Sequence, residues 1–116
     1  MTQNNKFILE TGNAAITNGD NEGFLILCTE DTVWNFVGDK TLRGKEAVRD
    51  WMKTAYVEPP EFTVRNLIAE GDFVTAVGTI RMKDEAGKLS DYSYCDVWNF
   101  RDGKIIELNA FVIKTS

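Results

Sequence analysis

The hydrophobic pattern of this 116-residue chain changes its period at the pair Pro59-Pro60. Before the pair, apolar residues recur at three- and four-residue spacing, which is typical of helices; after it, they alternate every second residue, which is typical of strands. Two consecutive prolines cannot continue a helix, so the change is abrupt. Helices followed by strands predict an α+β fold, with helices packed on one face of an antiparallel sheet. A chain of this length suits one domain over residues 1–116.

Three helices are predicted before the proline pair. Apolar spacing indicates the first over residues 3–18, ended by Gly19, and a short second helix over residues 21–28, with Asp20 as its N-cap. The third, over residues 45–56, has the strongest amphipathic pattern. Its apolar residues follow helical spacing closely: Val48, Trp51, Met52, Ala55 and Tyr56.

One short strand is predicted between the second and third helices. Residues 33–37 read Val-Trp-Asn-Phe-Val, a run of strand formers that Gly38 ends. The polar residues 29–32 before it are predicted to end the second helix. Alternation places Asn35 on the side opposite Trp34 and Phe36.

Four strands are predicted after the proline pair, at residues 62–69, 72–83, 88–101 and 104–114. Turn sequences separate them, and the last is Asp102-Gly103. Asp-Gly favours a type I′ hairpin turn because both central residues of that turn have positive φ. Three consecutive hairpins predict an antiparallel meander.

The strand over residues 88–101 places one acid among aromatic side chains. Alternation assigns Asp96 to the same face as four rings, those of Tyr92, Tyr94, Trp98 and Phe100. An ionised carboxylate is costly in such surroundings, so a perturbed group of this kind is a candidate for chemistry. On the neighbouring strand, Ala76 and Gly78 are small enough to leave space for a cavity wall.

The opposite face of the meander is also apolar. If the helices cover only one face, a patch stays exposed on the other, formed by Phe73, Val77, Val97, Phe111 and Ile113. A patch of this size favours burial against a second copy in a two-fold dimer. The alternative is that the helices wrap around more of the sheet.

Composition excludes several classes of function. The chain has no histidine, which rules out histidine-dependent triads and the usual zinc sets, and we predict neither metal nor cofactor. A net charge of −5 without a basic cluster disfavours nucleic acid and membrane surfaces as partners. Cys28 and Cys95 have no metal or redox spacing and are expected to be buried free thiols. With no signal-peptide pattern, we expect a reducing cytoplasm.

Several segments together resemble the nuclear transport factor 2-like superfamily, and its SnoaL-like polyketide cyclase and ketosteroid isomerase branch in particular. They are Gly-Asp-Asn-Glu-Gly-Phe at residues 19–24, Leu-Arg-Gly-Lys-Glu-Ala-Val at 42–48, and the ending from Val97 to Phe111. The resemblance covers nearly the whole chain. It implies a cone-shaped roll of cystatin-like topology: three N-terminal helices on a strongly curved antiparallel sheet, an apolar pocket between them, and often a dimer through the outer sheet face.

The resemblance also implies site residues. Asp96 falls where ketosteroid isomerases carry the protonated acid of their oxyanion hole. Asn35 falls at the position of their general base, and an amide cannot take up a proton at neutral pH, which argues against that particular activity. The predicted catalytic group is therefore Asp96, with Tyr94 or Asn35 as hydrogen-bond partner. The predicted ligand-binding residues are Trp51, Met52, Tyr56, Tyr92, Trp98, Gly78 and Leu108.

Two functions remain open at this point. One is an isomerase or cyclase acting on a small apolar carbonyl compound; the other is a non-catalytic dimeric module that binds a ligand or acts as a scaffold. In the second case, Asp96 could be a structural carboxylate bonded to Tyr94, Tyr56 or Asn35, and Trp51 and Trp98 could be plain core. A cavity of about 300 Å³ or more beside Asp96 would favour ligand binding, and closed packing would favour the scaffold.

Overall fold

The computed structural model describes residues 2–84 and 86–116, with side chains from residue 4 onward. Its helices are α1 (Thr2–Thr17), α2 (Asn21–Leu25) and α3 (Lys45–Ala55). Its strands are β1 (Cys28–Phe36), β2 (Lys40–Arg43), β3 (Glu61–Glu70), β4 (Phe73–Lys83), β5 (Leu89–Arg101) and β6 (Lys104–Lys114). The predicted α+β class, the three helices and the four C-terminal strands are confirmed.

The strands form one curled, unclosed sheet in the order β2-β1-β6-β5-β4-β3. Strands β3 to β6 make the predicted antiparallel meander. Strand β1 pairs with β6 in parallel, so the sheet is not purely antiparallel. The Asp102-Gly103 turn has φ of 53° and 78° at its two central residues, as a type I′ hairpin turn requires.

The first strand begins earlier than the sequence pattern indicates. Cys28 already pairs with Ile105 of β6, so residues 29–32 belong to β1, and α2 ends at Leu25. The prediction of a helix to residue 28 and a loop at 29–32 was wrong, because the pairing partner lies far along the chain and local polarity does not reveal it. Strand β2 was missed because it is a short, mostly exposed edge strand.

The helices lie over the two ends of the sheet's inner face. Helix α1 packs against β3 and β4, while α3 packs against β1 and β2. Helix α2 begins at the predicted N-cap, where the Asp20 carboxylate accepts a hydrogen bond from the Gly23 amide at 3.0 Å. Arg49 of α3 holds α2 in place through two hydrogen bonds to Glu22, at 2.7 and 3.0 Å. The helices therefore do not lie directly on the central strands β5 and β6, and the space above these strands is filled mainly by side chains.

The outer face of the sheet is open in the single chain. Phe73, Phe111 and Ile113 are 47%, 46% and 67% exposed, and Val77 and Val97 are partly exposed. The alternative to a dimer was that the helices wrap around more of the sheet. They leave this face open, so that alternative is not met. The dimer itself remains a prediction.

Candidate functional site

A cavity of about 90 Å³ lies between the helices and the inner face of the sheet, and Asp96 is part of its wall. Strand register explains why the space is there. Asp96 pairs with Ala76 of β4 on one side and with Ala110 of β6 on the other. Both alanines line the cavity, and their short side chains leave the space beside the carboxyl group unfilled.

Aromatic side chains form about half of the remaining wall. Trp34 is the centre of the cluster, with ring centroids 5.7 Å from Phe24, 6.2 Å from Trp51 and 5.4 Å from Trp98. Tyr56 at the end of α3 continues it, 5.0 Å from Trp51. Most of these pairs are edge-to-face, the arrangement that the charge distribution of aromatic rings favours.

Asp96 is partly buried, and one of its two carboxylate oxygens is fully enclosed. Its Oδ1 is shut off from solvent and has no hydrogen-bond partner among the described residues. Loss of solvation therefore raises the pKa of the carboxyl group from 3.8 to about 7. The reading of Asp96 as a structural carboxylate is not supported, since neither Tyr94 nor Tyr56 nor Asn35 bonds to this oxygen.

The charge of Asp96 affects the pKa of both tyrosines of the cavity, Tyr56 and Tyr94. Burial first, and then the charge of Asp96, raises the pKa of Tyr94 to about 12. The pKa of Tyr56 is also raised, for the same reasons. Tyr94 donates a long hydrogen bond of 3.4 Å to the Thr63 carbonyl, so its hydroxyl is engaged with the backbone. Both tyrosines remain neutral donors at physiological pH.

Asn35 lies on the other side of the sheet from the cavity. Its amide nitrogen donates to Asn109 Oδ1 at 3.2 Å, and its own oxygen accepts from Thr41 Oγ1 at 3.0 Å. Its neighbours Trp34 and Phe36 line the cavity, as the predicted alternation requires. The structure therefore corrects the expectation that Asn35 could partner Asp96: it ties β1 to β6 and β2.

Five of the predicted ligand-binding residues line the cavity: Trp51, Met52, Tyr56, Trp98 and Leu108. Tyr92 and Gly78 do not. Gly78 leaves no open space, because a Cβ there would collide with the Thr63 carbonyl and lie 2.9 Å from the Tyr94 hydroxyl. Gly78 allows the backbone of β3 to lie close to β4. The space beside Asp96 is left instead by the short side chains of Ala76 and Ala110.

Sequence reasoning missed other residues of the wall. Trp34 and Phe36 could have been found, since their shared face was visible in the alternation of residues 33–37. Asn13 of α1 and Phe62 of β3 had no such signal. The Trp34 indole nitrogen, like Asp96 Oδ1, is buried and unpartnered within the described part of the chain.

The part of the chain that the structure describes was compared with the requirements of a metal site and of a membrane-spanning helix. Within residues 2–84 and 86–116, no group of three or more Asp, Glu or Cys side chains is arranged to hold a metal ion. No helix in the same ranges is long and apolar enough to cross a bilayer. Cys28 and Cys95 are both free thiols; Cys28 is buried as predicted, whereas Cys95 is only partly buried.

Comparison with known families decides the relationship. The model of the SnoaL-like domain matches residues 9–108, which is most of the chain. The chain belongs to the SnoaL-like family. This confirms the resemblance seen in the sequence. A search of curated proteins finds no match to this SnoaL-like chain.

Solved structures agree on the fold. An NTF2-like protein of unknown function from Cytophaga hutchinsonii is 23% identical, with 93% of this chain and 98% of that chain covered and a TM-score of 0.76. TerC, co-crystallised with polyporic acid, is 20% identical, with coverage of 93% and 90% and a TM-score of 0.77. An LEH-like epoxide hydrolase from M. tuberculosis is 19% identical, with coverage of 96% and 84% and a TM-score of 0.81. The SnoaL-like chain thus has the cone fold of the nuclear transport factor 2-like superfamily.

Proposed function

We propose that this SnoaL-like protein binds a small, mostly apolar carbonyl compound in its cavity, with Asp96 as the polar anchor for the carbonyl oxygen. The observation that carries the proposal is a carboxyl oxygen, Asp96 Oδ1, that is buried in an apolar wall and has no hydrogen-bond partner among the described residues. In its protonated form Asp96 can donate a hydrogen bond to a carbonyl oxygen, and in its ionised form it can take a proton from carbon. A pKa of about 7 makes both forms available at neutral pH.

Catalysis is the second part of the proposal. An isomerase or cyclase reaction is supported by the acid in the cavity. Solved structures with the same fold include an LEH-like epoxide hydrolase, so the fold is compatible with an enzyme. Asp96 is the only carboxylate among the cavity residues that the structure describes. A reaction here would therefore use one group to remove and return the proton, while Tyr56 acts as a neutral donor.

A non-catalytic binding module is the alternative. The cavity of about 90 Å³ is smaller than the roughly 300 Å³ at the lower end of sites for drug-sized ligands. It is larger than closed packing would leave, so neither sequence-based expectation is met in full. The volume favours a short ligand, or the end of a longer one.

Intrinsic fluorescence provides the binding test, because the chain has three tryptophans and all of them line the cavity. We expect a five-carbon methyl ketone to change the emission in a saturable way. Ala110→Leu should abolish the change, because the larger side chain fills the space beside Asp96 without altering the carboxyl group. Thr75→Leu, on the outer side of β4, is the matched control. A saturable response that survives Ala110→Leu would place binding elsewhere, and no response to any small ketone would refute the proposal.

Turnover separates the enzyme from the binding module. Asp96→Asn keeps the shape of the side chain but cannot exchange a proton at neutral pH. If the protein isomerises or cyclises a carbonyl compound that it binds, this variant should lose turnover and still bind. Equal turnover in the variant and the wild type would remove Asp96 from the mechanism.

A two-fold dimer through the outer sheet face belongs to the same proposal. It is supported by the exposure of Phe73, Phe111 and Ile113 on a face that no helix covers. Native mass spectrometry at micromolar concentration should show the dimer, and Ile113→Lys should convert it to monomer because a charge would be buried at the interface. A wild-type protein that is only monomeric would remove this part.

A further inference from the structure

A second hollow lies directly outside the cavity. It is an open groove of about 680 Å³ between the end of α1 and the first residues of β3. Three residues line both spaces: Pro60, Phe62 and Ile80. We name the two spaces the inner cavity and the outer groove.

The wall between the two spaces is one layer of side chains. Phe62 and Ile80 are register partners across β3 and β4, and both are only partly buried. Strand β3 is the edge of the sheet, so no further strand supports Phe62 from outside. Beside this pair, Tyr94 of the inner cavity bonds to the carbonyl of Thr63, a residue of the outer groove, at the long distance of 3.4 Å.

The two spaces differ in chemistry. The inner cavity is apolar apart from Asp96, the tyrosine hydroxyls and Asn13. Three threonines line the outer groove: Thr17, Thr63 and Thr79. It also holds two carboxylates and one guanidinium group, and that guanidinium, on Arg81, is already bonded to Asp91 at 2.9 Å. The excess negative charge disfavours an anionic group there, and the hydroxyls favour an uncharged polar one.

We propose that the inner cavity and the outer groove are two subsites of one binding site, divided by Phe62. The inference rests on the proposed function and extends it by naming the ligand class: an elongated compound with an apolar carbonyl end and an uncharged, hydroxyl-bearing end. The carbonyl end lies beside Asp96 and the hydroxyl end reaches the threonines of the groove. Together the two spaces fall within the range of established ligand sites, which the inner cavity alone does not reach.

Three methyl ketones test the proposal by tryptophan fluorescence. One has five carbons, one has ten carbons and a terminal hydroxyl, and one has ten carbons and a terminal carboxylate. We expect the hydroxyl-ended ketone to bind roughly tenfold more tightly than the short one, and the carboxylate-ended ketone to bind more weakly than the hydroxyl-ended one. Thr79→Val should weaken the hydroxyl-ended ketone by roughly three- to tenfold, the effect of one lost neutral hydrogen bond, and leave the short ketone unchanged. Thr75→Val, on the same strand but in neither space, should change nothing.

The outcomes separate this inference from the proposed function. If the short ketone binds but the longer chain gains no affinity, or if Thr79→Val behaves like the wild type, the two-subsite site is refuted and the inner cavity stands alone. Tighter binding of the carboxylate-ended ketone would likewise overturn the assignment of an uncharged end. If no ketone binds at all, the proposed function fails, and this inference fails with it.

Discussion

Replacing Asp96 by Asn should remove a large part of the pH dependence of folding stability. The pKa of the carboxyl group is about 7 in the folded chain against an ordinary value of 3.8. As the pH rises from about 4, the unfolded chain releases this proton first, so the folded chain holds more protons up to about pH 7. Stability therefore falls across that window and is level above it.

The size of the effect follows from the shift. One pKa unit corresponds to 1.36 kcal/mol, so the full cost of ionising Asp96 in the folded chain is about 4 kcal/mol. Most of it develops between pH 5 and pH 8, where linkage gives a loss of about 2.5 kcal/mol. Water in the cavity would solvate the carboxylate and reduce this value, so a measured loss of about 1.5–2.5 kcal/mol fits the reasoning. Small domains are stable by only about 5–15 kcal/mol, which makes the change easy to measure.

Urea denaturation of the wild type and of Asp96→Asn at pH 5 and pH 8 is the assay. The free energy of unfolding of the variant, relative to that of the wild type, should be higher at pH 8 than at pH 5 by about 1.5–2.5 kcal/mol. Asp72→Asn, at an exposed position in the turn before β4, is the matched control and should follow the wild type. Parallel pH profiles for the wild type and Asp96→Asn would refute the claim that burial raises the pKa of this carboxyl group.

Three further changes test other parts of the structure. Gly78→Ala should cost about 2 kcal/mol or more in thermal denaturation, because its Cβ would collide with the Thr63 backbone; a loss below about 0.5 kcal/mol would contradict that contact. Asn35→Asp should confer no isomerase activity on a steroid ketone, because the side chain lies outside the cavity; activity would show that it reaches the ligand. Asp84 accepts hydrogen bonds from Lys114 and the Lys88 amide, which hold its pKa well below its usual range. Asp84→Asn should therefore lower the melting temperature at pH 7, and the difference should shrink as the pH falls below about 4; a constant difference would contradict the shift.

The sequence was sufficient for the fold wherever a local pattern decides the structure. Helix α3 and the four strands of the meander have strong hydrophobic periodicity. The Asp102-Gly103 turn is predictable because these two residues adopt positive φ more readily than most. The start of β1 was not predictable in this way. Its pairing with β6 joins Cys28 to Ile105, and no local window contains both.

In the candidate site, too, only what a local pattern decides was predictable. The alternation of β5 placed Asp96 among rings, and the structure confirms that position. The origin of the space was not visible, because it depends on which residues lie beside Asp96 on two other strands. Ala110 could be recognised as a neighbour only once the register of β5 and β6 was known. Gly78 shows the converse error, since a small residue leaves space only where no backbone fills it.

Register also explains why the carboxyl group must stay inside. Strand β5 is hydrogen-bonded to β4 and β6 along its length, so Asp96 cannot reach solvent by the fraying of an edge strand. A slip of one residue would exchange it for Val97 and turn it to the outer face, but the tight turn at Asp102-Gly103 and the bulge next to Asn99 and Phe100 fix the register. The cost of burial can then be lowered by protonation, by water in the cavity, or by a ligand that enters it. If the proposed function holds, a ligand oxygen that accepts a hydrogen bond from Asp96 would also lower this cost, so the carboxyl group that destabilises the empty fold would favour an occupant.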